Sequence, residues 1–390
     1  MDYLCEMLER RRLLATFMVT NTLDSGGGSL RQAIISANAT TAADRIEFNI
    51  AGAGVKTITP LTPLPAISQP LTIDGYTQPG AQANTLAVGD DAVLLMRLVG
   101  PQTASAAGLG VLTINAPNCE IRGLNIAAVF SVSATYQGDI VVNGAGGNTI
   151  AGNFLGTTTS GGAGTQSPRG ISIGISSAIG NTFGGPSPAD RNIISNHVDF
   201  GIRALSDGNT IQNNYLGTDA TGIAKLANGV GISALGTGVT IAGNVISGNA
   251  FWGARLTLIQ STFSDNQVGI GADGATPLGN GSIASGYGGV LVTAGGNNSA
   301  YSGNVIADNV GYGIGVSRST QGNTGGPTVG NQIYANSIYD NTELGIDLAY
   351  DLETPGMGRG VTSNDPQDAD NSSAGNAAQN FAVLSTASVD

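Results

Sequence analysis

From about residue 108 onward the chain repeats one short phrase: Asn, an apolar residue, a small or polar pair, a second Asn, then Gly with alternating apolar residues. The clearest copies are NIISNHVDFGIRA (192–204), NVISGNAFWGARL (244–256), NVIADNVGYGIGV (304–316) and NSIYDNTELGIDL (336–348). NTIAGNFLGT (148–157) and NTIQNNYLGTDATG (209–222) are intermediate units, 61 residues apart. Aligned on the glycine that opens the second strand, the units place Gly201, Gly231, Gly253, Gly289, Gly313 and Gly345 at spacings of 30, 22, 36, 24 and 32. The spacing of 22 is the bare coil, and larger values require loops inserted at the turns.

Each apolar segment is three to five residues long and alternates with period two, so it reads as a short strand with one buried face. The sharp turns between strands call for residues that tolerate positive φ, which Gly and Asn adopt most cheaply. Three strands per coil, stacked about 4.8 Å apart, form parallel sheets, and Asn side chains at equivalent turns can bond along the stack. The expected fold is all-β: a parallel β-helix, right-handed by the usual crossover preference. Inserted loops such as 156–170 and 271–288 are expected along one side, which in solenoids is often the functional one.

Composition agrees. The 390 residues include 60 Gly, and 41% are hydrophobic, which excludes collagen and disorder. Fifteen basic against 27 acidic residues leave a net charge of -12, and only Lys56 and Lys225 are lysines. Such a surface repels nucleic acid and anionic membranes. Cys5 and Cys119 make neither a disulfide framework nor a thiolate zinc site, and no run of 18 apolar residues spans a bilayer.

Residues 18–50 read as an N-terminal cap, with a strand, a glycine turn and a helix begun by Ser29, with Gln32 completing a capping box. Leu30, Ala33, Ile34 and Ala37 follow helical spacing, so this helix lays an apolar face over the first coil. Residues 51–350 read as the β-helix. Residues 1–17 read as a leader, and 351–390 as an acidic loop and tail that continues into a further domain.

Residues VTNTLDSGGGSLRQAI and PLPAISQPLTIDGYTQPG, with the repeats, resemble secreted bacterial right-handed β-helix proteins of the pectin-lyase-like superfamily, in particular a planctomycete type. The leader residues Leu8, Glu9, Arg10, Arg11, Arg12, Leu13 and Leu14 resemble a short element of planctomycete surface proteins, with Arg10 in place of its usual proline. The resemblance implies an extracellular or cell-surface location and no single reaction, because the fold carries lyases, hydrolases, epimerases, adhesins and tail spikes.

Chemistry is sought in columns of equivalent positions. One outward column reads Arg203, Ser233, Arg255, Leu291, Gly315, Asp347; its two arginines suit the carboxylates of an acidic polysaccharide, or are ordinary exposed strand residues. A second reads Phe200, Val230, Trp252, Gly288, Tyr312, Leu344; its rings either stack on sugars or cover the turn. His197, the only histidine, sits where one extra residue separates Asn196 from Gly201, which suggests a bulge placing His197 and Asp199 on one face. This pair is an acid-base candidate or a solvated turn. The hydrolase elements Asn-Thr-Asp and Gly-His-Gly of the superfamily are absent. A lyase or epimerase with Arg203 or Arg255 as base stays open beside a polysaccharide-binding protein and a structural stalk or adhesin. Asp365, Asp368 and Asp370 are candidate Ca²⁺ ligands. Ice binding is disfavoured because inserted loops should interrupt the flat Thr array it requires.

Overall fold

The computed structural model describes residues 14–100, 109–127, 136–144, 146–173, 178–282, 287–317 and 328–348. Residues 1–13, with Cys5, and residues 349–390, with Asp365, Asp368 and Asp370, lie outside the described residues, and with them most of the expected leader and the candidate Ca²⁺ ligands. Among the described residues, three parallel sheets run along the chain, with eleven, ten and nine strands. Each coil visits them in turn, as in Thr210–Gln212, Tyr215–Leu216 and Val230–Thr237. The expected parallel β-helix is therefore the observed fold.

The core is three stacked columns, one per sheet. The first sheet contributes Ile121, Ile150, Phe183, Ile211, Ile241 and Phe263 in register, all fully buried. The second contributes Leu155, Ile194, Leu216 and Ile246, and the third Ile140, Ile171, Ile202 and Ile232. Burial of each such side chain is worth about 1.5–3 kcal/mol, which is why one apolar residue per short strand suffices to hold the register.

Asparagine closes the corners. Between the first and second sheets, Asn153, Asn192, Asn214, Asn244, Asn266, Asn304 and Asn336 form a ladder in which each Nδ2 donates to the next Oδ1 at 2.8–3.2 Å. A second ladder, Asn228, Asn249, Asn280, Asn309 and Asn341, closes the corner into the third sheet at 2.9–3.1 Å. A backbone amide joins most of these steps, so a buried asparagine satisfies chain and neighbour together.

The glycine column answers to a different cause from the one expected. Gly201, Gly231, Gly253, Gly289, Gly313 and Gly345 do not have positive φ. An added Cβ at Gly231 or Gly313 would stand 2.8 Å from Cγ2 of Ile246 or Ile338, so these positions need the absence of a side chain. Positive φ falls instead on glycines such as Gly156, Gly217 and Gly269, which open the inserted loops.

Those loops gather on one side, as expected. They follow Phe154–Leu155, Tyr215–Leu216 and Gln267–Val268. They also touch one another, with the amides of Ala220 and Ala272 donating to the carbonyls of Gly161 and Gly222. These three leave at the corner into the third sheet, and the first sheet keeps an unbroken row of Thr149, Thr182, Thr210, Thr240 and Thr262. The expectation that loops interrupt a Thr array is thus incorrect; β-branched residues suit exposed strand positions in any case.

The helix Leu30–Asn38 buries Leu30, Ala33, Ile34 and Ala37 and packs on the first two strands. Ser29 Oγ accepts from the amide of Gln32, but the Gln32 side chain reaches Ser36 at 3.3 Å, so the capping box is half made. The first strand is Thr16–Val19. Cys119 is buried, and desolvation pushes its thiol up to about 11.

Candidate functional site

The outer face of the second sheet is covered. Phe154, Ile193, Tyr215 and Val245 point outward there, under the segment 78–95 and the inserted loops, and form a second apolar cluster with Leu94, Ala220 and Ala272. Arg191 fastens that segment: its guanidinium donates to the carbonyls of Leu86, Ala87 and Gly89 and stacks 4.5 Å over the Tyr215 ring. Tyr215 Oη in turn accepts from the Gly89 amide at 2.9 Å.

The third sheet carries the charged column. Strand pairing aligns Ser172, Arg203, Ser233, Arg255, Leu291, Gly315 and Asp347 in one register row, as the repeat alignment predicts. Arg203 is half-buried and Arg255 exposed, whereas Ser172 and Leu291 are buried. Two strand spacings separate the two arginine backbones, roughly 9–10 Å. Among the described residues neither has a carboxylate within ion-pair distance, whereas Arg31, Arg45, Arg122 and Arg169 all do. Burial, and then the charge of nearby Arg169, hold Arg203 below the usual arginine range.

Arg169 and Asp199 flank this column. They lie 3.6 Å apart, and Arg169 also covers the Phe200 ring at 5.7 Å. Sequence reasoning missed Arg169, because its strand, Ser167–Ile173, opens without the Asn phrase that marks other coils.

The aromatic residues divide. Trp252 is half-buried and meets Tyr287 edge-on at 4.4 Å; Phe251, exposed, meets the same ring at 5.0 Å. Tyr312 is fully buried, so the expected stacking role is corrected for it: its ring lies against Gly315, and its hydroxyl accepts from Trp252 Nε1 at 2.7 Å. Tyr312 holds Trp252 and presents no face to a ligand. Phe251 and Tyr287 extend the aromatic edge beyond the repeat column, which is why the column did not disclose them.

His197 also differs from expectation. Both His197 and Asp139 are fully buried; Nε2 lies 3.1 Å from Asp139 Oδ2, and Nδ1 lies 2.9 Å from Asn228 Oδ1. His197 therefore occupies the first step of the second ladder, the place that Asn249 holds two coils on. No residue is inserted between it and Gly201, since Asn196 (φ 70) corresponds to Gly248 (φ 74). A bulge does exist, against the preceding strand: Ser167 pairs with His197 and Arg169 with Phe200. It turns Val198 and Asp199 outward, so His197 and Asp199 do not share a face and do not form an acid-base pair.

Among the described residues no group of three His, Cys, Asp or Glu side chains is placed to hold a metal ion, and no helix is long and apolar enough to cross a membrane.

No family model matches the chain, and no curated protein matches it in sequence. Among solved structures, an alginate lyase from Paenibacillus is 14% identical, with a TM-score of 0.42, over 85% of this chain and 99% of that one. The A-module of an Azotobacter vinelandii mannuronan C-5 epimerase is 14% identical with a TM-score of 0.37, over 85% and 98% of the two chains. A surface adhesin of Streptococcus pneumoniae is 12% identical with a TM-score of 0.34, over 89% and 95%.

Proposed function

We propose that the outer face of the third sheet binds an acidic polysaccharide, with Arg203 and Arg255 holding its carboxylates and Phe200 and Trp252 beside them, on a secreted or cell-surface protein. The observation that carries this reading is two guanidinium groups in one register row, free of carboxylate partners among the described residues, in a chain of net charge -12. An arginine left unneutralised on an acidic protein is a site for an external anion, and its planar fork matches a carboxylate bidentately. The test is affinity for polyuronates against neutral polysaccharides. Binding is expected for the former alone, weakening with salt and lost in the Arg203→Ala/Arg255→Ala double variant; equal binding of both classes overturns it.

A second reading makes the protein a lyase or epimerase on the same polymer. The lowered proton affinity of Arg203 favours it, because a guanidine that yields its proton more readily can take one from the uronate carbon beside the carboxylate. Ultraviolet absorbance of unsaturated uronate, on pectate and alginate with and without Ca²⁺, separates the two. Absorbance that grows with time and disappears in Arg203→Ala establishes the lyase, and a change of C-5 configuration by ¹H NMR without absorbance establishes the epimerase; binding with neither leaves the binding protein. Neither activity would leave a structural stalk or adhesin.

A further inference from the structure

The first strand, Thr16–Val19, enters the first sheet beside Asp44–Phe48, with Thr16 opposite Arg45. Thr16 and Phe17, expected in the leader, therefore belong to the body of the fold. Just before the strand, Ala15 is held by both of its backbone groups: its carbonyl accepts from the Arg45 amide at 2.9 Å, and its amide donates to Asp44 Oδ1 at 2.9 Å. One residue earlier, Leu14 is 65% exposed. The Leu14–Ala15 bond is thus where the chain joins the body.

Asp44 is an unexpected residue for its position. Strand pairing sets it opposite the buried Leu71, and Asp44 is itself only 1% exposed, on a strand against which the helix Leu30–Asn38 packs. Both of its oxygens meet neutral donors, Oδ1 the Ala15 amide and Oδ2 the Thr40 hydroxyl. Among the described residues no cation answers its charge: Arg45, on the other face of the same strand, pairs with Glu47 and Asp74, and Arg31 pairs with Asp24. A buried carboxylate without a counter-ion costs stability. The atom placed to supply the missing charge is the Ala15 nitrogen. As a peptide N–H it gives one neutral hydrogen bond; as a chain terminus it would be an ammonium at the same place, and charge-assisted bonds are roughly twice as strong.

We propose that an endopeptidase cuts the chain at the Leu14–Ala15 bond and that Asp44 is the built-in receptor for the new terminus. Water is the co-reactant. The C–N bond breaks, the hydroxyl of water goes to the Leu14 carbonyl carbon and its hydrogen to the Ala15 nitrogen, and the proton of the resulting carboxylic acid passes to the amine. A carboxylate leaves on the released segment, which carries Arg10, Arg11 and Arg12, and an ammonium stays on the body. The ammonium closes an ion pair with Asp44 and fastens the first strand to the second. A cut after Phe17, at the end of the expected leader, would instead take Thr16 and Phe17 out of the sheet and leave Asp44 unanswered. This inference is independent of the polysaccharide reading.

Two measurements test it. N-terminal sequencing by mass spectrometry, on the protein recovered from the cells that make it naturally, is expected to find Ala15 first; an intact Leu14–Ala15 bond or a terminus elsewhere overturns the processing. For the receptor, urea denaturation compares the full chain with chains that begin at Ala15 and at Leu14, each released from a carrier so that this residue has a free α-amine. The Ala15 chain is expected to have a folding equilibrium constant about ten-fold higher than the other two. Asp44→Asn, whose carboxamide oxygen still accepts from the Ala15 nitrogen, should erase that advantage. Acetylation of the Ala15 α-amine, which keeps Asp44 and removes the charge, should erase it as well. Equal stability of the three chains, or an advantage that survives either change, overturns the receptor.

Discussion

Asp90 in the segment 78–95 offers a quantitative test of how that segment is held. Its Oδ1 accepts from the Ala92 amide at 2.9 Å, while Oδ2 is buried without a hydrogen-bond partner. Desolvation, only partly offset by the Ala92 amide and the Arg191 charge, raises it from 3.8 to about 6. Between these values the folded protein keeps a proton that the unfolded chain has released, so stability falls as pH rises through the window and stays lower above it. The shift corresponds to a penalty of about 3 kcal/mol at neutral pH. Asp90→Asn removes the charge and leaves an unpaired amide in its place, so a gain of about 1–3 kcal/mol is expected near pH 8, shrinking towards zero near pH 3.5. Urea denaturation at the two pH values, followed by circular dichroism, measures the difference. Equal stability of the variant and the natural chain near pH 8, or the same gain at both pH values, would refute the reasoning.

Other outcomes follow from the corners and the aromatic edge. Asn249→Ala deletes donors to Leu216 and Asn280 and leaves Asn228 without its acceptor; chemical denaturation should show a loss of about 3–5 kcal/mol. Gly231→Ala forces a Cβ to 2.6 Å from the Gly253 carbonyl and should cost about 1–3 kcal/mol. Gly238→Ala, at φ 66 with open space around it, should cost about 1 kcal/mol, so the same assay separates steric from conformational need. Tyr312→Phe removes the acceptor of Trp252 Nε1, and the fluorescence of this single tryptophan should shift, at a stability cost of about 1 kcal/mol.

What the sequence made legible is whatever the repeat copies from coil to coil. The apolar columns, the Asn ladders and the row from Arg203 to Asp347 all stand in the predicted register, because a one-residue slip would turn each buried residue outward. The reason for the glycine column was misread, since close approach to Ile246 or Ile338 depends on a neighbouring sheet that a local pattern does not contain. His197 was misaligned for a similar reason: an imidazole replaces a carboxamide in the ladder, and its partner Asp139 lies 58 residues earlier. Arg191 and the segment it fastens, about 100 residues apart, carry no periodic signal. Burial of Tyr312 was equally hidden, because a column shows which residues are equivalent and does not show what lies over each of them.

The most direct test of the central claim, that Arg203 and Arg255 form one anion-binding row, is calorimetric titration of the natural chain and its two single and one double alanine variants with a polyuronate oligomer. The row predicts binding that each single variant weakens, that the double variant abolishes, and that salt suppresses in the natural chain. Undiminished binding by the double variant, with the fold intact by circular dichroism, would contradict it.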